Sequence, residues 1–344
     1  MVLIKIPKQY ATPSVLEQID RNLKESKINK IGSDYSISGQ EYCILCNGSG
    51  EVMNIIFRIL EESFSKDFAD QIQMNYIPMR GDNDTKMEQD ILDALRDDRV
   101  VIYLQPIYSN KAKRFVSGEV LTRIIMPDGT LLPPGEFIPV AEQSKLINIL
   151  EKRILEKTLR FLAEVDIHAL GLNFIELNMS IKTSERNDFA DICTHILKTY
   201  DINPSYLNVE ITETASISEK ENLLANMKKL IDRGFHFSLD DFGSGYSNLN
   251  YVIDMPVSVI KFDLNMTQAT GDDKKAYIVM KHAVHMAHEL ELTTIAEGVE
   301  TKESLQRMVD MGIDYIQGYY FSKPLPVNEF VAFIEERNKD YIHG

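Results

Sequence analysis

From about residue 100 onward, short runs of apolar and β-branched residues alternate with longer amphipathic stretches. Short apolar runs bounded by turn-forming residues predict buried strands, and the longer stretches repeat with a helical period. The predicted strands begin at residues 100, 115, 172, 206, 236, 257, 292 and 314. The clearest helical patterns between them cover residues 219–233 and 274–290.

Strands that alternate with helices predict a parallel sheet with its faces covered. Eight strands in roughly 245 residues match the size of a closed (β/α)8 barrel. The first two strands are joined only by the residues SNKAKR, which are too few for a crossover helix. We therefore expect an α/β, TIM-type barrel whose first strand pair is antiparallel.

The first 97 residues show a different pattern. Helical stretches at 14–26, 51–64 and 84–98 alternate with a strand–turn–strand at 35–46 and a strand at 71–79. This pattern predicts a small α+β domain. Charged residues at 97–99 mark the junction, so the predicted domains are residues 1–97 and 98–344.

Composition limits the classes of function. The chain has 344 residues and a formal net charge of -15. An acidic chain is poorly suited to DNA, because DNA binding depends on clustered Lys and Arg. An anionic ligand would need positive charge at its site, and a bound divalent metal ion is the obvious source.

Three cysteines are too few for a secreted disulfide framework and suit a reducing compartment. No apolar run reaches the ~18–20 residues of a membrane span, and the apolar start of the chain is too short for a signal peptide. We therefore expect a cytoplasmic protein with no membrane segment in this chain.

Candidate chemistry collects where the predicted strands end, which is where barrels of this kind carry their active sites. The polar residues at these ends are Gln105, Glu119, Asn178, Glu210, Glu213, Asp240, Asp241, Lys261, Asp263, Glu297, Glu300 and Gln317. Crowded carboxylates are costly unless a cation neutralises them. Because the ligands are all oxygen atoms, the pattern predicts a hard cation such as Mg²⁺ or Mn²⁺.

Asp240 and Asp241 are the most informative pair. Neighbouring strand residues face opposite ways, so both side chains reach one site only if the strand ends there. Gly243 and Gly245 allow such an ending. Two adjacent carboxylates could then hold two metal ions in the arrangement used for phosphoryl chemistry.

Each element alone has an ordinary structural explanation. An Asp-Asp pair before a glycine turn is usually solvated, and Glu210 with Glu213 could form a helix cap. Lys261 on an apolar strand could extend its ammonium to solvent. The prediction depends on all of these residues falling at successive strand ends.

The order of the motifs resembles the EAL-domain family, phosphodiesterases of the bacterial second messenger cyclic di-GMP. The resemblance covers residues 101–334. Its pieces are LQPIYS, GEVLTRI, LNMS, EITET, DDFGSGYSNL, IKFD, AEGVET and QGYYFSKPLP. The tripeptide that names the family is Glu-Val-Leu here, Ile124 stands where an aromatic residue is common, and Ser244 replaces a usual threonine. None of these three changes removes a ligand.

The resemblance implies two metal ions, Mg²⁺ or Mn²⁺. It implies that the metal ligands are Glu119, Asn178, Glu210, Asp240 and Asp241, with Asp240 bridging the two ions. Lys261 would position the attacking water or the phosphate, and Glu297 would act as general base. Glu213 would steady the glycine loop that follows Asp241.

The same resemblance implies that one 3′–5′ phosphodiester of cyclic di-GMP is cut to give linear pGpG. The implied substrate contacts are Gln105, Leu121, Arg123 and Gln317. It also implies a homodimer formed through the barrel.

Residues 38–42, SGQEY, resemble a degenerate GGDEF turn, so residues 1–97 resemble the C-terminal part of a diguanylate cyclase domain. Gln40 replaces the first acidic residue of that motif, which removes a metal ligand. We therefore expect a structural or regulatory remnant that does not synthesise cyclic di-GMP.

Several alternatives remain open. The barrel could be a catalytically silent receptor for cyclic di-GMP, or a sugar- or phosphate-processing barrel of another family, although the latter explains none of the motifs. Cys43 and Cys46 fit a C-x-x-C pattern but sit in an apolar strand. His282, His285 and His288 could bind zinc, but their spacing turns them progressively round a helix, which favours an ordinary helix face.

Overall fold

The computed structural model describes residues 2–26, 28, 30–35, 41–46, 56, 64, 73–76, 82–212, 220–243 and 249–342. The chain divides into two compact units. One comprises residues 1–101 and 124–153, and the other comprises residues 102–123 and 154–344. The predicted boundary between residues 97 and 98 stays a prediction.

The first unit contains an antiparallel sheet with the strand order β2-β3-β1-β4. Its elements are β1 (Val2–Pro7), α1 (Pro13–Glu25), β2 (Lys30–Tyr35), β3 (Glu41–Cys46) and β4 (Gln73–Tyr76). Helix α1 begins at the expected signal, because the Thr12 hydroxyl accepts a hydrogen bond from the Val15 amide and Pro13 stands in the first turn. Ile19 and Leu23 of α1 are buried with Ile4 and Ile44 of the sheet.

The remaining elements of this unit are α2 (Asp82–Arg96), β7 (Leu131–Leu132) and α3 (Pro134–Gln143). The predicted helix at 14–26 and the strands around residues 41–46 and 73–76 are confirmed. The helix predicted at 51–64 and the turn at 36–40 fall almost wholly outside the described residues.

Eight strands form the closed, mixed barrel that the sequence predicts. They are β5 (Val100–Ser109), β6 (Arg114–Ile125), β8 (Phe174–Asn178), β9 (Leu207–Thr212), β10 (His236–Phe242), β11 (Val259–Phe262), β12 (Thr293–Ala296) and β13 (Tyr315–Gln317). The strands run in parallel from β6 round to β13. Strand β5 is antiparallel to β13 and also pairs with β6, which closes the barrel.

Helices follow most of the parallel strands. They are α4 (Ile147–Glu164), α5 (Ile181–Ser184), α6 (Phe189–Tyr200), α7 (Lys220–Ile231), α8 (Leu249–Asp254), α9 (Leu264–Ala269), α10 (Lys274–Glu289), α11 (Lys302–Met311), α12 (Val327–Arg337) and α13 (Lys339–Ile342). Strand β14 (Leu325–Pro326) pairs with β5. The helices predicted at 219–233 and 274–290 are confirmed as α7 and α10.

Burial in the strands follows from this architecture. Every residue of β11 is buried, because one face points into the barrel and the other lies under the helices. The inward positions of several strands are polar and meet at the carboxyl ends of the parallel strands, where the site lies. Among the described helices, none combines the length and apolar character needed to cross a bilayer.

Candidate active site

The centre of the site is the fully buried ammonium group of Lys261 on β11. Five carboxylates from five other strands or strand ends surround it. The distances from Lys261 Nζ are 2.7 Å to Glu210, 2.8 Å to Glu297, 3.4 Å to Asp240, 3.6 Å to Glu119 and 3.8 Å to Glu176. The barrel therefore gathers acidic groups that are far apart in the sequence around one lysine.

Strand register explains why these groups meet. Asn178 of β8 lies beside Glu210 of β9, and Glu119 of β6 lies beside Glu176 of β8. Neighbouring parallel strands thus bring acidic or amide side chains to adjacent inward positions. Closure of the barrel then brings the β11 and β12 side chains to face those of β6.

Burial and charge set the proton affinities in this cluster. Burial raises the pKa of Glu210 well above its ordinary value, and the nearby ammonium of Lys261 only partly opposes this. Burial likewise raises the pKa of Glu297 to about 8. Burial alone would lower the pKa of Lys261, but the surrounding carboxylates hold it well above its ordinary value, so this side chain is charged.

Glu119 is the carboxylate that hydrogen bonds hold most firmly. Its two oxygens accept hydrogen bonds from Asn178 Nδ2 at 2.8 Å and from Gln317 Nε2 at 2.6 Å. Gln317 Nε2 also donates to Gln105 Oε1 at 3.1 Å, and Gln105 donates to the Ser322 carbonyl. Although burial opposes ionisation, Lys261 and these donors lower the pKa of Glu119 below its ordinary value. Four residues predicted for the site therefore form one connected network.

The Asp240–Asp241 pair lies at the end of its strand. Strand β10 covers His236–Phe242, as the sequence predicts, and ends one residue after the pair. Near this end of the strand, the pairing of β10 with β11 shifts register between Leu239 and Phe242, and Asp241 adopts a left-handed backbone with φ of 58°. Such an irregularity re-aims side chains at a strand's end. Burial and the neighbouring Asp240 raise the pKa of the half-buried Asp241 to about 6.

Other predicted residues lie at the margin of the cluster or outside it. Leu121 and Arg123 stand two and four positions after Glu119 on β6, so all three side chains lie on the same side of the strand. Leu121 and Arg123 are partly exposed. Asp263 caps helix α9, because its side chain accepts a hydrogen bond from the Asn265 amide at 2.8 Å. Glu300 is exposed. Glu213 falls outside the described residues.

The donors present fit a hard divalent cation. Neither oxygen of Glu210, nor Oδ1 of Asp240, has a well-aligned hydrogen-bond donor among the described residues, although all three atoms are buried. Such atoms require a cation or a donor. Within the described part of the chain, no three His, Cys, Asp or Glu side chains already form a metal-ligand set, since the carboxylates gather round the lysine. The oxygen donors favour Mg²⁺ or Mn²⁺.

Glu176 is the residue of the cluster that the sequence reasoning missed. It is fully buried on β8 and stands two positions before Asn178. Because side chains alternate along a strand, both residues face the barrel interior. The prediction of Asn178 as an inward ligand therefore already implied an inward Glu176.

Gly318 fixes the strand end that carries Gln317. A Cβ atom at residue 318 would lie 2.2 Å from the Val299 carbonyl oxygen and 2.4 Å from its amide nitrogen. We expect Gly318→Ala to lower the free energy of unfolding by more than about 2 kcal/mol, because backbone atoms cannot rotate away from the methyl group. Urea denaturation measures the effect. Gly135→Ala is the control, since nothing lies within 4 Å of its Cβ position; equal effects of the two changes would contradict the prediction.

The alternative metal sites find no support among the described residues. Cys46 is buried in β3 as the strand interpretation predicts, and burial raises the pKa of its thiol to about 12. His288 Nε2 lies 3.0 Å from Asp314 Oδ2, and His285 lies 3.6 Å from Glu289 on the same helix. These histidines make separate surface contacts.

The EAL domain family model matches residues 88–324 of the chain. The chain is 32% identical over 256 residues to the signaling protein YkoW of Bacillus subtilis, covering 73% of this chain and 32% of that protein. It is 31% identical over 240 residues to the cyclic di-GMP phosphodiesterase PdeL of Escherichia coli, covering 70% of this chain and 66% of that protein. The chain thus spans less than two thirds of these relatives.

The fold is similar to that of a solved PaMucR phosphodiesterase in complex with c-di-GMP. The TM-score is 0.67 at 27% sequence identity, and the match covers 71% of this chain and 99% of that one. An EAL domain protein from Listeria monocytogenes gives a TM-score of 0.64 at 26% identity, covering 75% and 98%. Both matches support the barrel architecture described above.

Proposed function

The chain belongs to the EAL domain family, and on this premise we propose that it is a metal-dependent phosphodiesterase that hydrolyses cyclic di-GMP. The observation that carries the proposal is the buried cluster in which Glu119, Glu210, Asp240 and Glu297 converge on Lys261. A purely structural barrel core would be packed with branched apolar side chains. Acidic groups gathered at the carboxyl ends of strands are typical of an active site.

The residues that would hold the first divalent ion are Glu119, Asn178, Glu210 and Asp240. Asp240 and Asp241 would hold the second. When bound, Mg²⁺ or Mn²⁺ lowers the pKa of a bound water and offsets negative charge on the phosphate. The buried oxygens of Glu210 and Asp240, which lack a well-aligned hydrogen-bond donor among the described residues, support this assignment.

The other cluster residues supply charge and proton transfer. The ammonium group of Lys261 lies in a dry interior, where it stabilises negative charge developing on the phosphate better than it would in water. Glu297 is the general base that takes a proton from the attacking water. Its raised pKa gives it the proton affinity that a base needs near neutral pH. The water oxygen bonds to phosphorus as the bond between phosphorus and the 3′ oxygen breaks, the 3′ oxygen takes up a proton to become a hydroxyl, and the product is linear pGpG.

The proposed substrate contacts lie at the edge of the cluster. Gln105 and Gln317 would contact the ligand beside Glu119, while Leu121 and Arg123 occupy the partly exposed positions further along β6. The Arg123 guanidinium lies 5.8 Å from the centre of the Tyr103 ring. A guanidinium presents several donors in one plane, which suits a phosphate or a guanine edge.

Three further parts of the proposal rest on the family resemblance alone. Residues 1–97 are a degenerate GGDEF-like remnant, Glu213 steadies the loop after Asp241, and the chain forms a homodimer through the barrel.

We expect the purified protein to convert cyclic di-GMP to pGpG in the presence of Mg²⁺ or Mn²⁺, as followed by chromatography. Glu119→Ala removes a ligand and should abolish product formation. Glu335→Ala, at an exposed position of α12, is the matched control and should leave the rate unchanged. Binding of cyclic di-GMP without product formation in either metal would contradict the proposed function and favour a silent receptor.

A further inference from the structure

A polar layer lies one step deeper in the barrel than the proposed metal ligands. On β6, β8, β9 and β10, the residue two positions before each ligand is polar and almost completely buried. These residues, the inner polar layer, are Ser117, Glu176, Asn208 and Ser238. Side chains two apart on a strand face the same way, so this layer continues the ligand face inward. A barrel interior at this depth is ordinarily filled by branched apolar residues.

Glu176 is the charged member of this layer, and one of its oxygens is held in place. Glu176 Oε1 accepts a hydrogen bond from Asn208 Nδ2 at 3.2 Å, and Ser238 Oγ lies 3.5 Å from the same oxygen. Asn208 Nδ2 in turn lies 2.6 Å from Ser238 Oγ. The neighbouring strands therefore fix where the Glu176 carboxylate stands.

The other oxygen faces the catalytic lysine. Glu176 Oε2 lies 3.8 Å from Lys261 Nζ, and no N–H or hydroxyl group of the described residues donates a hydrogen bond to it. A buried carboxylate without full hydrogen bonding is unfavourable, so its presence calls for a compensating charge interaction. The ammonium of Lys261 is the charge that it faces.

The carboxylates outside the inner polar layer, called the outer carboxylates, cannot neutralise both the Lys261 ammonium and a bound metal ion equally well. Glu210, Asp240 and Glu119 contact Lys261 and are also the proposed metal ligands. A metal ion bound to them competes with the ammonium for the same oxygens.

Two carboxylates near the lysine lie outside the proposed ligand set, Glu297 at 2.8 Å and Glu176 at 3.8 Å. Glu297 is assigned to take the proton of the attacking water, which removes its charge during the reaction. Glu176 belongs to the inner layer and has no such task, so its charge stays available to the lysine throughout.

We propose that Glu176 is a positioning residue, the standing counter-ion that holds the Lys261 ammonium in the barrel while the outer carboxylates bind metal. This inference rests on the proposed function, because it assigns a partner to the lysine of that same site. Without the Glu176 charge, the ammonium depends more on the outer carboxylates, and metal binding weakens.

Glu176→Gln tests this role, since it removes the charge and keeps the shape. We expect the Kd for Mn²⁺, measured by calorimetry, to rise about tenfold to a hundredfold, as found for residues behind a metal's ligands. The kcat for cyclic di-GMP should fall by a similar factor, while KM stays within about twofold, because the substrate contacts are intact. Ser117→Ala is the control, because the Ser117 hydroxyl bonds to the Phe174 carbonyl, and it should leave the Kd for Mn²⁺ near that of the parent protein.

Two further measurements separate positioning from a structural role. In the metal-free protein, Glu176→Gln should not lower the unfolding temperature, because it removes one of several carboxylates crowded around one ammonium. Glu176→Asp keeps the charge and should keep most of the Mn²⁺ affinity. A lower unfolding temperature with unchanged Mn²⁺ affinity, or an equal loss of affinity for Asp and Gln, would overturn the inference.

The inference and the proposed function fail in different ways. If the parent protein binds Mn²⁺ but does not hydrolyse cyclic di-GMP, the proposed function fails, and the Kd for Mn²⁺ of Glu176→Gln still decides whether Glu176 supports the metal site. If hydrolysis proceeds and Glu176→Gln matches the parent protein in both kcat and Kd, only the inference fails.

Discussion

Replacement of Asp240 by asparagine is expected to lower the kcat for cyclic di-GMP hydrolysis by about a hundredfold to a thousandfold. Asp240 is buried, its Oδ1 lies 3.4 Å from Lys261 Nζ, and it is the residue proposed to contact both metal ions. Asparagine keeps the size of the side chain but removes the negative charge and one acceptor oxygen. Chromatography of the product under saturating substrate and Mn²⁺ measures the change.

Asp314→Asn is the matched control for this substitution. Asp314 stands just before β13, at the opposite end of the strand from Gln317, and accepts hydrogen bonds from the amide and hydroxyl of Thr294. Asparagine retains an oxygen that can accept these bonds, so we expect the rate to change by less than about threefold. Comparable losses in the two variants, or full activity in Asp240→Asn, would contradict the role given to Asp240.

Lys261→Met is expected to abolish measurable hydrolysis and to lower the free energy of unfolding by about 3–5 kcal/mol in metal-free buffer. The methionine fills a similar space, but five buried or nearly buried carboxylates then face one another without the ammonium. Urea denaturation at neutral pH measures the loss. Added Mn²⁺ should recover part of the stability, because the same oxygens can bind a divalent cation.

Lys220→Met provides the comparison for this stability effect. Lys220 pairs with Asp254 at 2.5 Å, but the two side chains are 47% and 38% exposed. Exposed ion pairs contribute at most about 1 kcal/mol, so this change should be small. A loss for Lys261→Met no larger than that for Lys220→Met would show that the buried cluster does not depend on its lysine.

Hydrophobic patterning was sufficient to predict the barrel. Six of the eight strands lie within the runs that predicted them, and β5 and β6 each extend one residue beyond theirs. The short SNKAKR connection correctly indicated that the first pair is antiparallel. These features are local in sequence, because run length and loop length limit what each segment can form. Residues 51–64 and 213–219 lie largely outside the described part of the chain, so the predictions made there stay predictions.

The cluster was predicted less completely than the fold. Because the carboxyl ends of barrel strands meet in space, the strand ends indicated that Glu119, Glu210 and Lys261 lie close together, and the structure places these three side chains in one cluster. Their roles stay predictions. The left-handed backbone of Asp241 could not be predicted, since it depends on how β10 pairs with β11. Glu176 could have been found from its spacing to Asn178, and Asp263 could have been recognised as the cap of the helix that follows it.

The most direct test is a titration of metal-free protein with Mn²⁺, in which bound metal and the rate of pGpG formation are measured in the same samples. The proposal that the carboxylate cluster works by holding divalent cations predicts no product without metal and a rate that rises with occupancy to a plateau at about two ions per chain. Hydrolysis by the metal-free protein, or metal binding that leaves the rate at zero throughout, would contradict it.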